Sequence, residues 1–190
     1  QSKWNSYGIY INDQYKFSEK MLLQAGLRYN QFVLDADFDT TFYPFPFTEA
    51  KINDGALTGS LGLVYRPTAK WVISSNVATA FRSPNVDDLG KVFDSEPGSV
   101  VVPNPDLKAE YAYNVDLNVA KLFGKNVKVD LSGYYTLLDN AMVRRDFTLN
   151  GATEIIYDGE LSNVQAIQNA ANAKVYGIQA GIEVKSASGF

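Results

Sequence analysis

Apolar and polar residues alternate with a period of two along most of this chain, and this pattern limits its possible folds more than any other feature. Successive side chains of a β-strand point to opposite faces of a sheet, so the alternation predicts strands with one apolar and one polar face. No segment of any length follows the helical period instead. We therefore predict an all-β chain in which strands pair only antiparallel, sequence neighbours form hairpins and no helix exceeds about two turns. The pattern occurs in seven segments: residues 7–17, 23–30, 57–66, 71–82, 111–119, 127–137 and 176–185.

Short and long connections alternate between these predicted strands. The short ones have the few residues that a hairpin needs, and they are residues 18–20, 67–70 and 124–126. The long ones are rich in Pro, Asp, Asn and Gly, and they cover residues of about 36–55, 83–109 and 148–173. Transmembrane β-barrels combine short periplasmic turns with long extracellular loops, whereas a β-sandwich does not need this regularity. The connections therefore favour a transmembrane barrel with lipid against its apolar face.

Aromatic residues lie near both ends of the predicted strands. Trp71 and Phe81 are ten residues apart, which corresponds to roughly 25 Å along the membrane normal for a tilted strand and matches the apolar band of an outer-membrane barrel. We predict a lower belt of Tyr15, Phe17, Tyr65, Trp71 and Phe123, and an upper belt of Tyr29, Phe81, Tyr111, Tyr135 and Tyr176. We expect lipid contact for Tyr7, Ile9, Leu27, Leu61, Ile73, Leu117, Leu131 and Ile182. We expect Arg28, Asn76, Asp116, Asp130 and Glu183 to face the barrel interior.

Composition excludes several classes of function. The chain has no Cys and no His, which removes disulfides, thiolate metal sites and the usual general base. A net charge of −4 and a pI of about 4.8 argue against nucleic acid as a partner. Carboxylates at Asp35, Asp37, Asp39, Asp87 and Asp88 could bind Ca²⁺, but without EF-hand spacing we interpret them as solvated loop charge. We expect no catalytic residues, no metal site and no cofactor, and therefore no enzyme.

Three segments resemble motifs of TonB-dependent outer-membrane receptors. Residues 80–89, AFRSPNVDDL, resemble the FRxPxxxEL-like pattern of that family, with Asp88 where Glu is common. Residues 102–110, VPNPDLKAE, are similar to its PNPxLKPE element, with Ala109 where Pro is common. Residues 169–179, NAANAKVYGIQ, resemble the N-x-x-x-A-x-x-x-G-x-E stretch that leads into a late barrel strand, with Gln179 in place of Glu. The order of the three segments fits the predicted succession of strands and long loops.

The resemblance covers essentially the whole chain and implies a part of a much larger barrel. Members of the family close about 22 strands around a plug. Residues 1–190 would then be part of a single outer-membrane β-barrel domain, and the plug and the TonB box have no counterpart in this chain. We therefore expect an open, curved sheet in which the first strand, Trp4–Phe17, does not pair with the last, Val175–Lys185.

The resemblance also implies a function in the bacterial outer membrane. Members of the family import scarce chelates, using the proton-motive force that the TonB complex relays through the plug. A ferric siderophore is the default substrate, and haem, cobalamin and glycans are the alternatives. The expected partners are outer-membrane lipid, the remainder of the barrel with its plug, the TonB complex and a surface lipoprotein.

The motif residues are interpreted as structural parts of the barrel rim, with Phe81 facing lipid and Arg82 facing the lumen. They are Phe81, Arg82, Pro84, Asn104, Pro105, Leu107, Lys108, Glu110 and Gly177. The aromatic residues of 42–47, which Pro44 and Pro46 interrupt and stiffen, could form a rigid platform over the barrel mouth that stacks on a flat ligand, or could pack against neighbouring loops. The candidate substrate contacts are therefore Phe42, Tyr43, Phe45, Phe47 and Arg82. Without His, haem ligation would fall to Tyr43 or to regions outside this chain.

The sequence leaves two other classes of protein as alternatives. A small eight-stranded outer-membrane barrel with a structural or adhesive role would suit the length, but seven strands and the three motifs disfavour it. A soluble carbohydrate-binding β-sandwich could bury equally apolar strand faces in its core. Pairing of the first strand with the last would support the small barrel, and two stacked sheets would support the sandwich.

Overall fold

The computed structural model of the chain describes residues 2–38, 41, 48–90 and 92–185. The seven predicted strands are all present, and most of them are longer than the sequence pattern indicates. In chain order the elements are β1 (Ser2–Ser18), β2 (Met21–Asp37), β3 (Glu49–Tyr65), β4 (Trp71–Arg82), α1 (Val86–Gly90), β5 (Phe93–Glu96), β6 (Ser99–Val101), β7 (Glu110–Phe123), β8 (Val127–Asp146), β9 (Glu154–Tyr157) and β10 (Glu160–Val184). The described part of the chain contains no helix longer than the single turn of α1, as predicted.

All ten described strands belong to one sheet, so the all-β prediction is confirmed. The strands lie in the order β1-β2-β3-β4-β7-β8-β10-β6-β5, and β9 pairs with β10. The seven long strands pair antiparallel with their neighbours in sequence, as hairpins do. The prediction of antiparallel pairing alone is wrong, because β6 runs parallel to β10 from the Ser99–Asn163 pair to the Val101–Gln165 pair. A parallel pair needs a long crossover, and residues 102–159, which include β7, β8 and β9, provide it between β6 and β10.

The predicted long connections are largely ordered strand. The connection expected at 148–173 contains β9 and the first part of the 25-residue strand β10. In the first part of β10, Val164 and Ala166 share one face while Leu161 and Ile167 have the opposite parity, so the hydrophobic pattern is too weak to indicate a strand with one apolar face. Val164 and Ala166 are nevertheless fully buried, because Val100, Val102 and Leu149 pack against them. The outer ends of the strands therefore form a sheet extension with its own small core.

The strand register separates the two faces as the alternation predicts. Cross-strand pairs form a continuous apolar row of Leu61, Val77, Val115, Tyr135 and Tyr176. Residues of the next row face the other side of the sheet, and in this row Asn76 of β4 pairs with Asp116 of β7. Large apolar side chains remain exposed on the first face, including Ile9, Leu117 and Ile182. Because one residue of slippage would exchange the faces, the observed register is the one that the alternation requires.

The sheet is open. Strand β1 pairs only with β2, and among the described residues β1 and β10 form no pair with each other. The expectation of two separate edges is therefore confirmed, and the observation that would have favoured a small closed barrel is not found. A single sheet also differs from the two stacked sheets of a sandwich. Among the described residues, no helix is long and apolar enough to cross a membrane.

Candidate functional site

The second and third motif segments meet at the end of the sheet away from the short turns, which we call the rim. The backbone N–H of Lys108 donates a hydrogen bond of 2.8 Å to the side-chain oxygen of Asn169. The Asn169 amide in turn donates to the carbonyl oxygens of Lys108, at 2.9 Å, and of Asn140, at 2.8 Å. The pairing register of β10 with β8 shifts next to Asn169. A β-bulge of this kind changes the direction in which the neighbouring side chains point. One carboxamide thus joins the second motif to both β8 and β10.

The proline-rich second motif is anchored by a buried asparagine and a buried leucine. The Asn104 amide donates to the carbonyl oxygen of Ile167 at 2.8 Å, and its own oxygen accepts from the N–H of Asp106 at 3.1 Å. Leu107 is buried against Leu34 and Ile167. Pro105 follows Asn104 directly. Because proline has no backbone N–H, this position leaves no donor that needs a hydrogen-bond partner. The motif therefore crosses the polar face of the sheet and packs onto it.

Arg82 connects the first motif to the second. Its guanidinium donates to both carboxylate oxygens of Asp88, at 2.8 and 3.1 Å, and lies 3.5 Å from the carboxylate of Glu110. The second oxygen of Glu110 accepts from the backbone N–H of Met142 at 2.8 Å. The Arg82 side chain keeps 47% exposure, whereas Asp88 keeps 10% and Glu110 keeps 20%. The arginine is thus held by two carboxylates on one side and remains accessible on the other.

Asp88 also caps the short helix α1. The Asp88 N–H donates to the side-chain oxygen of Asn85 at 2.9 Å, and the Asn85 N–H donates to the Asp88 carboxylate at 3.1 Å. This reciprocal pair is a capping box, with Asn85 at the N-cap and Asp88 three residues later. Asp88 therefore fills the structural place of the Glu that is common in the resembling family. Its carboxylate is paired with Arg82 and Asn85 and keeps only 10% exposure, so Asp88 is not the solvated loop charge that we expected.

Phe81 does not lie in a lipid-facing belt, contrary to our expectation. Its ring stacks on Phe32 with centroids 5.9 Å apart and lies 6.4 Å from Tyr111, in a cluster with buried Ala56 and Ala109. The physical reason is a split in the sheet. Strands β3 and β4 pair only from Ser60 to Tyr65, and beyond that point Thr79 bonds through its hydroxyl to the backbone N–H and carbonyl oxygen of Gly59. The end of β4 is thereby released from β3 and packs towards β2.

Gly177 lies away from the rim, on the polar face of β10, and leaves room for an aromatic ring. A Cβ at this position would meet Tyr134 ring atoms at 2.8 to 2.9 Å. The Tyr134 ring therefore lies flat over the glycine of the neighbouring strand, an arrangement that shields a glycine within a sheet. Pro84 is fully buried at the start of the long connection. The structure thus gives Gly177 and Pro84 packing roles.

The aromatic segment proposed to contact substrate lies outside the described residues, so Phe42, Tyr43, Phe45 and Phe47 remain predictions. The base of their loop is closed by a 2.8 Å bond from the N–H of Phe38 to the carbonyl oxygen of Thr48. Next to it Lys51 lies 2.6 Å from Glu49, and the hydrogen bond to this carboxylate raises the pKa of the lysine. Among the described residues, no group of three or more acidic, His or Cys side chains could hold a metal ion.

Sequence reasoning missed a cleft on the polar face of β1, β2 and β3. Its volume is about 330 Å³, and its lining includes Tyr10, Asn12, Gly26, Arg28, Thr58 and Ser60. The alternation of the sequence predicted that Arg28 lies on this face. The glycines were the signal for a cleft, because a glycine leaves a gap in a row of polar side chains. Farther round the sheet Asp116 accepts hydrogen bonds from Asn76, Asn114 and Asn118. The polar face is therefore lined by amides, hydroxyls and a few charges, as a wetted barrel wall requires.

A single open sheet of long antiparallel strands with an apolar and a polar face is the fold expected for part of the wall of a large β-barrel. The profile of the TonB-dependent receptor-like β-barrel family matches residues 3–189. The chain belongs to this family.

Several solved structures have a similar fold. The FrpB iron transporter of Neisseria meningitidis is 18% identical, with 98% of this chain and 24% of that chain covered and a TM-score of 0.65. The hemophore receptor HasR of Serratia marcescens, solved with its hemophore HasA and heme, is 15% identical, with 96% and 32% covered and a TM-score of 0.76. The ferric enterobactin receptor PfeA of Pseudomonas aeruginosa is 16% identical, with 93% and 24% covered and a TM-score of 0.67. The chain spans about a quarter to a third of these proteins. No curated protein sequence matches it.

Proposed function

We propose that the protein to which this chain belongs imports a scarce metal chelate across the bacterial outer membrane, with energy relayed by TonB. The observation that carries the proposal is the family match over residues 3–189, together with a sheet that has one continuous apolar face and one polar face. The apolar face is suited to outer-membrane lipid and the polar face to a wet lumen. The unpaired edges of the sheet leave places for the remainder of the barrel.

A ferric siderophore is the substrate that we propose. Similar folds include an iron transporter and a ferric enterobactin receptor, which supports iron chelates as the substrate class. Haem is the next candidate, since HasR was solved with heme, and cobalamin and glycans follow. The aromatic segment at 42–47 is the proposed platform for the ligand, and Arg82 is the proposed polar contact beside it. The exposed side of the Arg82 guanidinium supports this role, although its carboxylate partners equally support a structural one.

The proposed partners follow from the same family. A plug domain would fill the lumen, and the TonB complex would act on that plug from the periplasmic side. A surface lipoprotein is a further candidate partner at the extracellular end. We propose no nucleic-acid partner and no enzymatic activity.

Uptake by cells tests the proposal. The full receptor would be expressed in a bacterium that lacks its own ferric-siderophore receptors, and accumulation of radioactive iron from a panel of ferric siderophores would be measured with and without a functional TonB. We expect TonB-dependent uptake of at least one chelate. Replacement of Phe42, Tyr43, Phe45 and Phe47 by Ala should weaken uptake, whereas Phe123→Ala at a short turn should not. Uptake that persists without TonB would contradict the proposed energy coupling.

A further inference from the structure

A cleft of about 520 Å³ opens between the tips of two hairpins at the rim. One hairpin joins β5 to β6 through residues 97–98, and the other joins β9 to β10 through residues 158–159. Strand β6 runs parallel to β10, and the backbone N–H of Asn163 donates a 2.8 Å hydrogen bond to the carbonyl oxygen of Gly98. The two tips are therefore fixed side by side by backbone contacts.

The strand register brings three side chains and a glycine together in this cleft. Tyr157 of β9 lies directly opposite Glu160 of β10, and Ser162 follows two residues later on the same face. The parallel pairing of β6 with β10 places Gly98 beside Ser162 on that face. A Cβ at Gly98 would meet no heavy atom within 4 Å, so the space beside this glycine is open.

The hydroxyl of Ser162 lies at the base of the cleft without a hydrogen-bond partner. Ser162 keeps only 4% exposure. Within residues 2–38, 41, 48–90 and 92–185 its hydroxyl forms no hydrogen bond, whereas every fully enclosed side-chain nitrogen or oxygen has a partner. The hydroxyl is therefore not enclosed, and it opens into the cleft that this residue lines. Buried polar groups are normally hydrogen-bonded, so this hydroxyl is available to a ligand.

Three carboxylates stand around the opening of the cleft. Glu96, Asp158 and Glu160 line it, and its described lining includes no Lys or Arg. In the described part of the chain, none of these carboxylates lies within 4.0 Å of a lysine or arginine nitrogen. Tyr157 also lines the cleft and packs against the small core around Val164, and an aromatic ring attracts cations. The cleft therefore favours a positively charged ligand.

The spacing of the carboxylates favours an organic cation over a metal ion. The described residues contain no group of three or more acidic, His or Cys side chains that could hold a metal ion. A larger cation can reach separate carboxylates one by one. Aliphatic polyamines do so, because each ammonium group has three donors and the methylene groups between them can pack against Tyr157 and Pro97.

We propose that this cleft binds a small polyamine, with its ammonium groups on Glu96, Asp158 and Glu160. The Ser162 hydroxyl accepts a hydrogen bond from the ammonium group that enters deepest. The volume of about 520 Å³ lies within the range of small-ligand sites. The site is built from two hairpins of this chain, so it does not depend on the transport function proposed above.

Binding of spermidine to the full receptor in detergent, measured by calorimetry at pH 7 and constant ionic strength, tests the proposal. Glu160→Gln removes one carboxylate charge from the cleft. Glu154→Gln is the matched control, because Glu154 is exposed on the same hairpin and lies on the opposite face. The parent protein and Glu154→Gln should bind spermidine alike. Glu160→Gln should bind it about threefold more weakly or worse, because an exposed ion pair is lost.

Two further variants test the other contacts. The combined variant Glu96→Gln, Asp158→Asn, Glu160→Gln should bind spermidine about tenfold more weakly or worse. Asn tolerates the left-handed backbone at position 158, where φ is 48°, so the turn should be kept. Ser162→Ala should weaken binding by about two- to tenfold, because one hydrogen bond to the ligand is lost. The unfolding temperature without spermidine should not fall in Ser162→Ala, since the hydroxyl has no partner to lose.

Four results would overturn the proposal. The first is that the parent receptor binds no spermidine. The second is that the combined variant binds spermidine as tightly as the parent protein does. The third is that magnesium displaces spermidine at equal concentration and itself fails to bind the combined variant, since the carboxylates would then form a metal site. The fourth is that Ser162→Ala lowers the unfolding temperature and leaves the spermidine affinity unchanged, since the hydroxyl would then have a structural role alone.

Discussion

A single carboxamide, that of Asn169, bridges three stretches of chain at the rim. It accepts from and donates to Lys108 and donates to Asn140, so the second motif, β8 and β10 meet at one side chain. Arg82 has a comparable place between the first two motifs, through Asp88 and Glu110. At this scale the polar motif residues hold loops to strands through hydrogen bonds, and the apolar ones do so by packing.

Replacing Asn169 by Ala should destabilise the rim. Three hydrogen bonds to backbone groups are lost, and the net contribution of each is about 0.5–1.5 kcal/mol. We expect a loss of about 1.5–4.5 kcal/mol in the free energy of unfolding of the full receptor, measured by urea titration. Asn163→Ala is the matched control, because Asn163 lies on the same strand and is exposed. Equal effects of the two substitutions would contradict the bridging role of Asn169.

Replacing Gly177 by Ala should also be costly, for a steric reason. The new Cβ would lie 2.8 to 2.9 Å from the ring of Tyr134, so this ring would have to move. Overpacking of this kind costs about 1–3 kcal/mol. Gly133→Ala is the control, because its nearest contact would be an ordinary 4.0 Å. Urea titration should also show that Tyr134→Ser relieves part of the Gly177→Ala loss, and additive effects of the two changes would argue against this contact.

At the scale of elements, the split between β3 and β4 decides the arrangement of the rim. In β3 only Ser60–Tyr65 pair with β4. At the next residue, Gly59, the backbone N–H and carbonyl oxygen form hydrogen bonds with the hydroxyl of Thr79 instead. Beyond this point the end of β4 leaves its neighbour, which lets Phe81 stack on Phe32 of β2. Nearer the short turns the ladder is regular, and the strict alternation of faces applies.

The alternation of faces can be tested on β7. Leu117 lies on the exposed apolar face, about six residues from the short turn, and its neighbour Asn118 faces the polar side. Leu117→Lys should lower the stability of the receptor in a bilayer by about 2–4 kcal/mol, because a cation near the midplane is poorly solvated. Asn118→Lys should cost much less, since its ammonium would lie beside Asp116 in a wet lumen. Folding titrations in lipid vesicles measure both, and a larger loss for Asn118→Lys would reverse the assigned faces.

At the scale of the whole molecule, the described sheet cannot stand alone in a membrane. All seventeen residues of β1 are exposed, and no other described strand pairs with one of its edges. Each unsatisfied backbone group in hydrocarbon costs several kcal/mol, so such an edge requires another strand. The remainder of the barrel is the natural source of that strand.

The chain of 190 residues by itself should therefore fail to insert as a stable monomer. Folded outer-membrane barrels resist detergent without heating, so an unheated sample of the full receptor should migrate differently from a heated one on a denaturing gel. The chain alone, refolded with lipid vesicles, should show no such heat-dependent shift and should remain sensitive to protease. A heat-modifiable, protease-resistant monomer of this chain would show that its edges can close.

The sequence by itself determined the strands, the two faces and the membership of a large barrel. Alternation is a local property, so residues such as Leu117 and Asn118 reveal their faces without knowledge of their neighbours. Only the tertiary structure decided the parallel pairing of β6 with β10, the packing of Phe81 on Phe32, and the hydrogen bonds of Asn169 with Lys108. These features depend on contacts between residues far apart in the chain, such as the 61 positions that separate Lys108 from Asn169. The period of a strand specifies which side a residue faces, but it does not specify which distant segment covers that side.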